Sequence, residues 1–282
     1  MLEWATGYFE KKGVPNPRLS IEWLLADLLQ IKRLELYLQY DRPLSSGELN
    51  RLRPMVKRRS DHEPLQYITG STDFLDCRIE VGPEVLIPRS ETEQLVELLL
   101  NREKTRYNQP LKLLDIGTGS GCIPISISKK LDEWNCYGMD ISIEALQLAK
   151  KNAEQNRVTV HFYESDIFDS GTFGTIGEQN FDLITSNPPY IPPDEVDTLD
   201  REVREFEPDS ALYLEKPLTI YTAISDFAVQ YLKESGTLYL ECNNRFTSEI
   251  AEMLESQFSN VETAVDYDKR ERFIIAEDPL TS

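Results

Sequence analysis

An apolar run from Leu111 leads without a break into Asp115-Ile116-Gly117-Thr118-Gly119-Ser120-Gly121, and helical periodicity starts at about Ile123. Three glycines alternating between a strand and a helix constrain the fold more than any other feature of the chain. With no Cβ, glycine lets the backbone turn tightly and lets a ligand lie against it, and the start of the helix brings N–H groups that have no intrahelical acceptor. Downstream, strand-like runs are expected at Cys136 to Asp140, Thr159 to Tyr163, Phe181 to Ser186 and Thr237 to Glu241, mostly separated by helical patterns. That alternation predicts a mainly parallel, doubly wound α/β sheet. Val261 to Val265 and Arg272 to Ala276 are separated only by Asp266 to Glu271, too short a link for a crossover helix, so the last strand is expected to be antiparallel.

The spacing of the loop is G-x-G-x-G, whereas nicotinamide-binding turns read G-x-G-x-x-G. A cradle for some other adenosine-bearing cofactor is the sharper reading, and a tight turn without a ligand is the alternative. Asp140 closes the next strand, where a carboxylate can accept both hydroxyls of a ribose. Asp166, in Glu164-Ser165-Asp166-Ile167-Phe168, follows the third strand and can accept from the exocyclic amine of adenine; an aspartate there can equally form a local turn.

The fourth strand ends in Asn187-Pro188-Pro189-Tyr190. Proline fixes φ and keeps its predecessor extended, so two in succession stiffen the loop and aim the Asn187 amide and the Pro188 carbonyl in set directions. Those two oxygens can accept both N–H bonds of a planar amide or amine, while the Tyr190 ring excludes water. Such a device is what methylation of an amide nitrogen requires. The nitrogen's lone pair is delocalised, and no ordinary side-chain base removes its proton beforehand; fixing both hydrogens turns the lone pair toward an electrophilic sulfonium methyl. Each bond, strengthening as charge develops, supplies about 1.5–3 kcal/mol, and alignment of the reacting atoms supplies up to about 7–11 kcal/mol. The competing reading is a rigid turn after a strand.

Residues 1 to about 70 read as helical. Ile21, Leu24, Leu25, Leu28 and Leu29 recur at helical spacing behind Ser20, an expected N-cap; a second run starts near Leu34, and a third follows Ser45-Ser46 and ends near Arg59. Phe74 to Ile87 reads as a β-hairpin, and Ser90 with Glu93 as a capping box opening a helix through Leu100. The expected organisation is a helical domain over 1–70, a hairpin linker over 71–89 and a catalytic domain over 90–282. The basic residues Arg51, Arg53, Lys57, Arg58 and Arg59 are expected to form a solvated helix face.

A formal charge of −19 opposes binding to a phosphate backbone and favours a protein partner. Four scattered cysteines form no CxxC pair, and the His, Cys and carboxylate spacings suggest no metal site. His62 and His161 have no triad-like company and are read as structural. The chain has no membrane-length apolar run and no signal-like amino terminus, so a cytoplasmic location is expected, with no membrane partner.

Taken together, Asp115 to Gly121, Asn187 to Tyr190, the joining segment Glu63-Pro64-Leu65-Gln66-Tyr67-Ile68-Thr69-Gly70 and Leu86-Ile87-Pro88-Arg89-Ser90-Glu91-Thr92-Glu93 resemble the family of protein N5-glutamine methyltransferases that modify peptide chain release factors. The similarity runs over nearly the whole chain. It implies a Rossmann-like, seven-stranded methyltransferase domain using S-adenosylmethionine, with the glutamine of the release factor's Gly-Gly-Gln tripeptide as acceptor. By the same resemblance Gly117, Thr118, Gly119, Ser120, Gly121, Asp140 and Asn187 contact the cofactor. Asn187, Pro188, Pro189 and Tyr190 receive the glutamine, with Asn187, Pro188 and Tyr190 at the chemistry, and the helical domain contacts the substrate protein. Three departures stand out. Ser90 replaces a proline of the relatives' Pro-Arg-Pro-Glu-Thr-Glu. Asp209 to Lys216 replaces a Gly-Gly-x-Asp-Gly segment. Ile167 stands where relatives can stack an aromatic ring on adenine.

Other readings stay open at this level. Methylation of adenine N6 or guanine N2 in a nucleic acid would use the same tetrapeptide on an extruded base. A ribosomal-protein glutamine is a third acceptor, and a catalytically silent interaction module would keep the fold alone.

Overall fold

The computed structural model describes residues 1–280 apart from 107, 175, 177 and 178; the last two positions of the expected 90–282 domain lie outside the described residues. The chain divides into two compact units: Met1–Ser71 with Thr198–Glu207, and Thr72–Asp197 with Pro208–Ser282.

The first unit is helical: α1 (Leu2–Lys12), α2 (Pro17–Leu29), α3 (Glu35–Leu38), α4 (Ser46–Ser60) and α5 (Leu65–Thr69). Phe9, Ile21, Leu24, Leu52 and Val56 are buried in its core. Ser20 does not cap a helix. Pro17, whose fixed φ suits the first helical position, starts α2 earlier, behind Asn16, and the buried Ser20 hydroxyl accepts from Arg59 Nε at 3.1 Å. The run from Leu34 shortens to the single turn of α3, whose Leu38 stays 86% exposed and so gains nothing from packing. Ser45 caps α4 in a full capping box with Glu48. Arg59 departs from the solvated face expected of it. It is 3% exposed, it donates to the Glu63 carbonyl at 2.8 Å, and it pairs with Glu202, which belongs to the returning segment Thr198–Glu207.

The second unit opens with a two-stranded hairpin, β1 (Ser71–Phe74) and β2 (Cys77–Glu80). It lies earlier than the expected Phe74–Ile87 because the turn is made at Leu75, with φ 49°. Helix α6 (Ser90–Arg102) follows, without the capping box read from Ser90 and Glu93. Glu93 instead accepts from the Leu75 N–H at 2.7 Å, fixing the hairpin turn. Then come β3 (Lys112–Ile116), α7 (Cys122–Lys130), β4 (Asn135–Asp140), α8 (Ile143–Asn156), β5 (Val160–Glu164) and β6 (Phe181–Ser186). They are followed by α9 (Arg201–Phe206, in the first unit), α10 (Asp209–Leu212), α11 (Pro217–Tyr231), β7 (Leu232–Glu241), α12 (Thr247–Glu255), β8 (Phe258–Val265) and β9 (Glu271–Pro279).

Seven strands form one sheet in the order β5-β4-β3-β6-β7-β9-β8, all neighbours parallel except β7·β9 and β8·β9. The Rossmann-like architecture and the antiparallel last strand agree with expectation. The order also locates the site. The chain moves outward from β3 through β4 to β5, then returns to lay β6 on the other side of β3, so the direction of winding reverses between β3 and β6. Loops leaving the carboxyl ends of those two strands diverge to opposite faces and leave a crevice. Every residue of β6 is buried, and it reads as an apolar run broken only by Asp182, with a threonine and a serine at its end. Among the described residues, no helix is long and apolar enough to cross a membrane.

Candidate active site

The register sets the site. Ile116 pairs with Ser186, and the Ser186 hydroxyl donates to the Ile116 carbonyl at 2.8 Å. The residues that follow, Gly117 and Asn187, therefore leave the sheet side by side. They line a cavity of about 410 Å³ together with Thr118, Gly119, Ser120, Asp140, Asp166, Ile167, Pro188 and Pro189. The cavity is large enough for a nucleoside-sized group with an extended tail.

The glycine loop is shaped by internal bonds. The N–H groups of Gly117 and Thr118 both donate to the Met139 carbonyl at 2.9 Å, Gly119 N–H donates to Asp140 Oδ2 at 2.8 Å, and Gly121 N–H to the Thr118 carbonyl at 2.8 Å. These donors are spent within the protein. What the loop offers is space. Gly117 and Gly119 have φ of 69° and 52°, and a Cβ on either would meet no atom within 4 Å, projecting into the volume a cofactor needs. Gly121 is different. It does not line the cavity; a Cβ there would come within 3.0–3.2 Å of Ile125, Ala149 and Phe162, so its role is close packing of α7 on the sheet.

Asp140 stands at the end of β4 with one oxygen on Gly119 N–H and the other on Ser142 N–H at 2.9 Å. Burial raises its pKa above the ordinary aspartate value, against the pull of those backbone donors. Two lone pairs remain for ribose hydroxyls. Asp166 accepts from Phe168 N–H at 2.9 Å, the local turn of the bland reading, and still lines the cavity. Asp115 lies beneath the loop, its pKa pushed up to about 7 by burial against the hydroxyls of Thr118 and Thr185.

The segment Asp209 to Lys216 has a definite place. Ile191 bridges to Tyr213, its N–H donating to the Leu212 carbonyl at 3.0 Å, and Ser210, Ala211, Tyr213 and Leu214 complete one wall of the cavity. Tyr190 is not on the lining. Its ring packs on the core, and its hydroxyl donates to Glu241 Oε1 at 3.2 Å. Thr92 and Glu241 escaped the sequence reading as functional residues. Thr92 Oγ lies 3.0 Å from Asn187 Nδ2 and 2.8 Å from Glu241 Oε2. The signals were present: Thr92 lies in Arg89-Ser90-Glu91-Thr92-Glu93, and Glu241 is an acidic residue ending an apolar strand.

A cavity lined by the glycine loop, Asp140 and Asn187-Pro188-Pro189 at the switch point of the sheet suits a methyl-transfer enzyme. The chain is an S-adenosylmethionine-dependent methyltransferase. Residues 1–70 match the family model described as the PrmC N-terminal domain, and residues 90–206 match the methyltransferase small domain. The chain is 42% identical to the release factor glutamine methyltransferase of Geobacter sulfurreducens, over 86% of this chain and 82% of that one. It is 36% identical to that of Chlorobaculum tepidum, over 96% and 94%. A T. thermophilus 16S rRNA methyltransferase solved with AdoMet and guanosine shares the fold, with a TM-score of 0.55 and 19% identity over 74% of this chain and 49% of that one. The chain belongs to the release factor glutamine methyltransferase family.

Proposed function

We infer that the enzyme transfers the methyl group of S-adenosylmethionine to the N5 amide nitrogen of the glutamine in the Gly-Gly-Gln tripeptide of a peptide chain release factor, in the cytoplasm. The observation that carries this reading is the placement of Asn187 directly beside Gly117 at the β3/β6 switch point. Family membership supports the choice of acceptor.

Gly117 to Ser120, Asp140, Asp166 and Ile167 would hold the cofactor, with Asp140 taking the ribose hydroxyls; the group supplies a methyl electrophile activated by its sulfonium charge. The chain's own residues act by position. Asn187 Oδ1 and the Pro188 carbonyl accept the two hydrogens of the substrate amide and turn its lone pair toward the methyl carbon. As the nitrogen gains positive charge these bonds shorten, and two of them at about 1.5–3 kcal/mol each account for a rate factor of about 10² to 10⁴. The larger contribution is entropic, from holding the reacting atoms in line. Pro188 and Pro189 keep this cost low, because the loop has little freedom left to lose on binding.

The helical unit, with its returning segment Thr198–Glu207, is assigned to recognition of the release factor, and Thr72–Asp197 with Pro208–Ser282 to catalysis. A net charge of −19 supports a protein substrate over a nucleic acid. The test is transfer of labelled methyl from the cofactor to an intact release factor, to the same factor with the tripeptide glutamine changed to glutamate, to a ribosomal protein and to RNA. Label on the intact factor alone supports the reading. Label on the RNA or on the glutamate variant overturns it.

A further inference from the structure

The carboxamide of Asn187 can serve as an acceptor only through its oxygen; its NH₂ end can only donate. The two ends have nearly the same shape, so the pocket must enforce which of them meets the substrate. A chain of side chains from three elements does so. Asn187 Nδ2 donates to Thr92 Oγ1 at 3.0 Å, Thr92 Oγ1 donates to Glu241 Oε2 at 2.8 Å, and the Tyr190 hydroxyl donates to Glu241 Oε1 at 3.2 Å. Thr92 is 3% exposed and Glu241 fully buried, so the bond between them is shielded from water.

A threonine hydroxyl has one hydrogen. While Glu241 is ionised it can only accept, and the Thr92 hydrogen points at it. The lone pairs of Thr92 then face Asn187, and only the NH₂ end of the amide satisfies them. Oδ1 is left as the acceptor on the other side of the amide.

We propose that Glu241, acting through Thr92, is a positioning residue that holds the Asn187 amide with its oxygen toward the substrate carboxamide, so that turnover requires Glu241 in its ionised form. The proposal rests on the reading of Asn187 as a clamp. A proton on Oε2 would donate to Thr92, swing the threonine hydrogen toward Asn187 and turn Oδ1 away from the substrate. A proton on Oε1 would displace the Tyr190 hydroxyl hydrogen and loosen the ring behind the loop. Either position disables the clamp.

The groups facing Glu241 are Thr92 and Glu91 on α6, Tyr190, Arg272 on β9, and Tyr221 on α11, whose hydroxyl donates to the Glu241 carbonyl at 3.1 Å. Arg272 is itself engaged with Asp266 at 3.1 Å. Burial dominates and pushes the Glu241 carboxyl up to about 7, against Thr92, Arg272 and Tyr190. The switch therefore falls within reach of ordinary buffers.

The experiment reads kcat at saturating cofactor and release factor between roughly pH 5 and 9, which reports titrations in the bound complex; Asp115, its carboxyl also pushed up to about 7, is common to every variant, so Glu241 is read from the limb that its replacement removes. Wild type is expected to lose about tenfold per pH unit below an inflection near 7. Glu241→Gln should turn over about tenfold or more slowly at high pH, with that inflection gone. Thr92→Val should be slowed similarly, and Thr92→Ser should recover both rate and inflection. Calorimetric cofactor affinity, unchanged within about threefold, certifies folding; should Glu241→Gln not fold, the Val and Ser pair at position 92 decides alone. An acid limb in Glu241→Gln unchanged from wild type, or wild-type turnover in Thr92→Val, overturns the proposal. Asn187→Ala separates the two layers. If it is as fast as wild type, the clamp itself fails; if it is slow while Thr92→Val is fast, only the relay fails.

Discussion

Replacing Asp140 by asparagine tests the cofactor cradle with almost no change of volume. The carboxylate accepts Gly119 N–H through one oxygen and Ser142 N–H through the other, at 2.8 and 2.9 Å. Asparagine keeps one acceptor and sets an NH₂ against the second donor. A buried donor left without an acceptor costs about 1–3 kcal/mol, and loss of one ribose hydroxyl bond to a charged acceptor a further 1.5–3 or so. Because both losses act on one loop, they do not add fully. We expect binding weaker by about 2–4 kcal/mol, a factor of about 30 to 1,000 in Kd. Calorimetric titration with S-adenosylmethionine measures it directly, and a thermal melt of the same protein checks that the fold persists. A Kd within about threefold of wild type would refute both the ribose role and the account of how the loop is held.

Three further outcomes are expected. Asn187→Ala should lower turnover by more than about tenfold while cofactor binding survives at least in part, since one charge-strengthened bond is lost at the acceptor nitrogen; steady-state kinetics beside calorimetry check both halves. Gly121→Ala puts a Cβ 3.0–3.2 Å from three side chains at φ 78° and should cost about 2–4 kcal/mol in urea unfolding. Arg59→Met removes a buried guanidinium that joins Ser20, the Glu63 carbonyl and Glu202. It should destabilise the protein by about 2–4 kcal/mol, somewhat less than a fully buried pair because Glu202 can rehydrate, and an unchanged melting profile would contradict the role given to it.

Much of this was legible in the sequence because it depends on short-range chemistry. Phe181 to Ser186 is buried on both faces and reads as a mostly apolar run despite Asp182; Asn187 to Tyr190 follows it, and the prolines declare the loop's stiffness. Gly117 and Gly119 announce themselves because only glycine leaves that volume open. What failed depends on partners distant in sequence. Ser20 and Arg59 are separated by 39 residues and find each other only in the folded helical unit. Glu93 was read as a local cap, yet its carboxylate serves the hairpin turn at Leu75. Thr92 and Glu241, 149 residues apart, act only as a pair, and nothing in either neighbourhood states that one hydroxyl will join them.

The central claim is that a glutamine carboxamide is the methyl acceptor. Tandem mass spectrometry of a release factor, after incubation with the enzyme and isotopically labelled S-adenosylmethionine, tests it most directly. The account predicts a single labelled methyl on the side-chain nitrogen of the Gly-Gly-Gln glutamine, accumulating more than about tenfold more slowly with Asn187→Ala. A label on any other residue, or labelling by that variant at the wild-type rate, would contradict it.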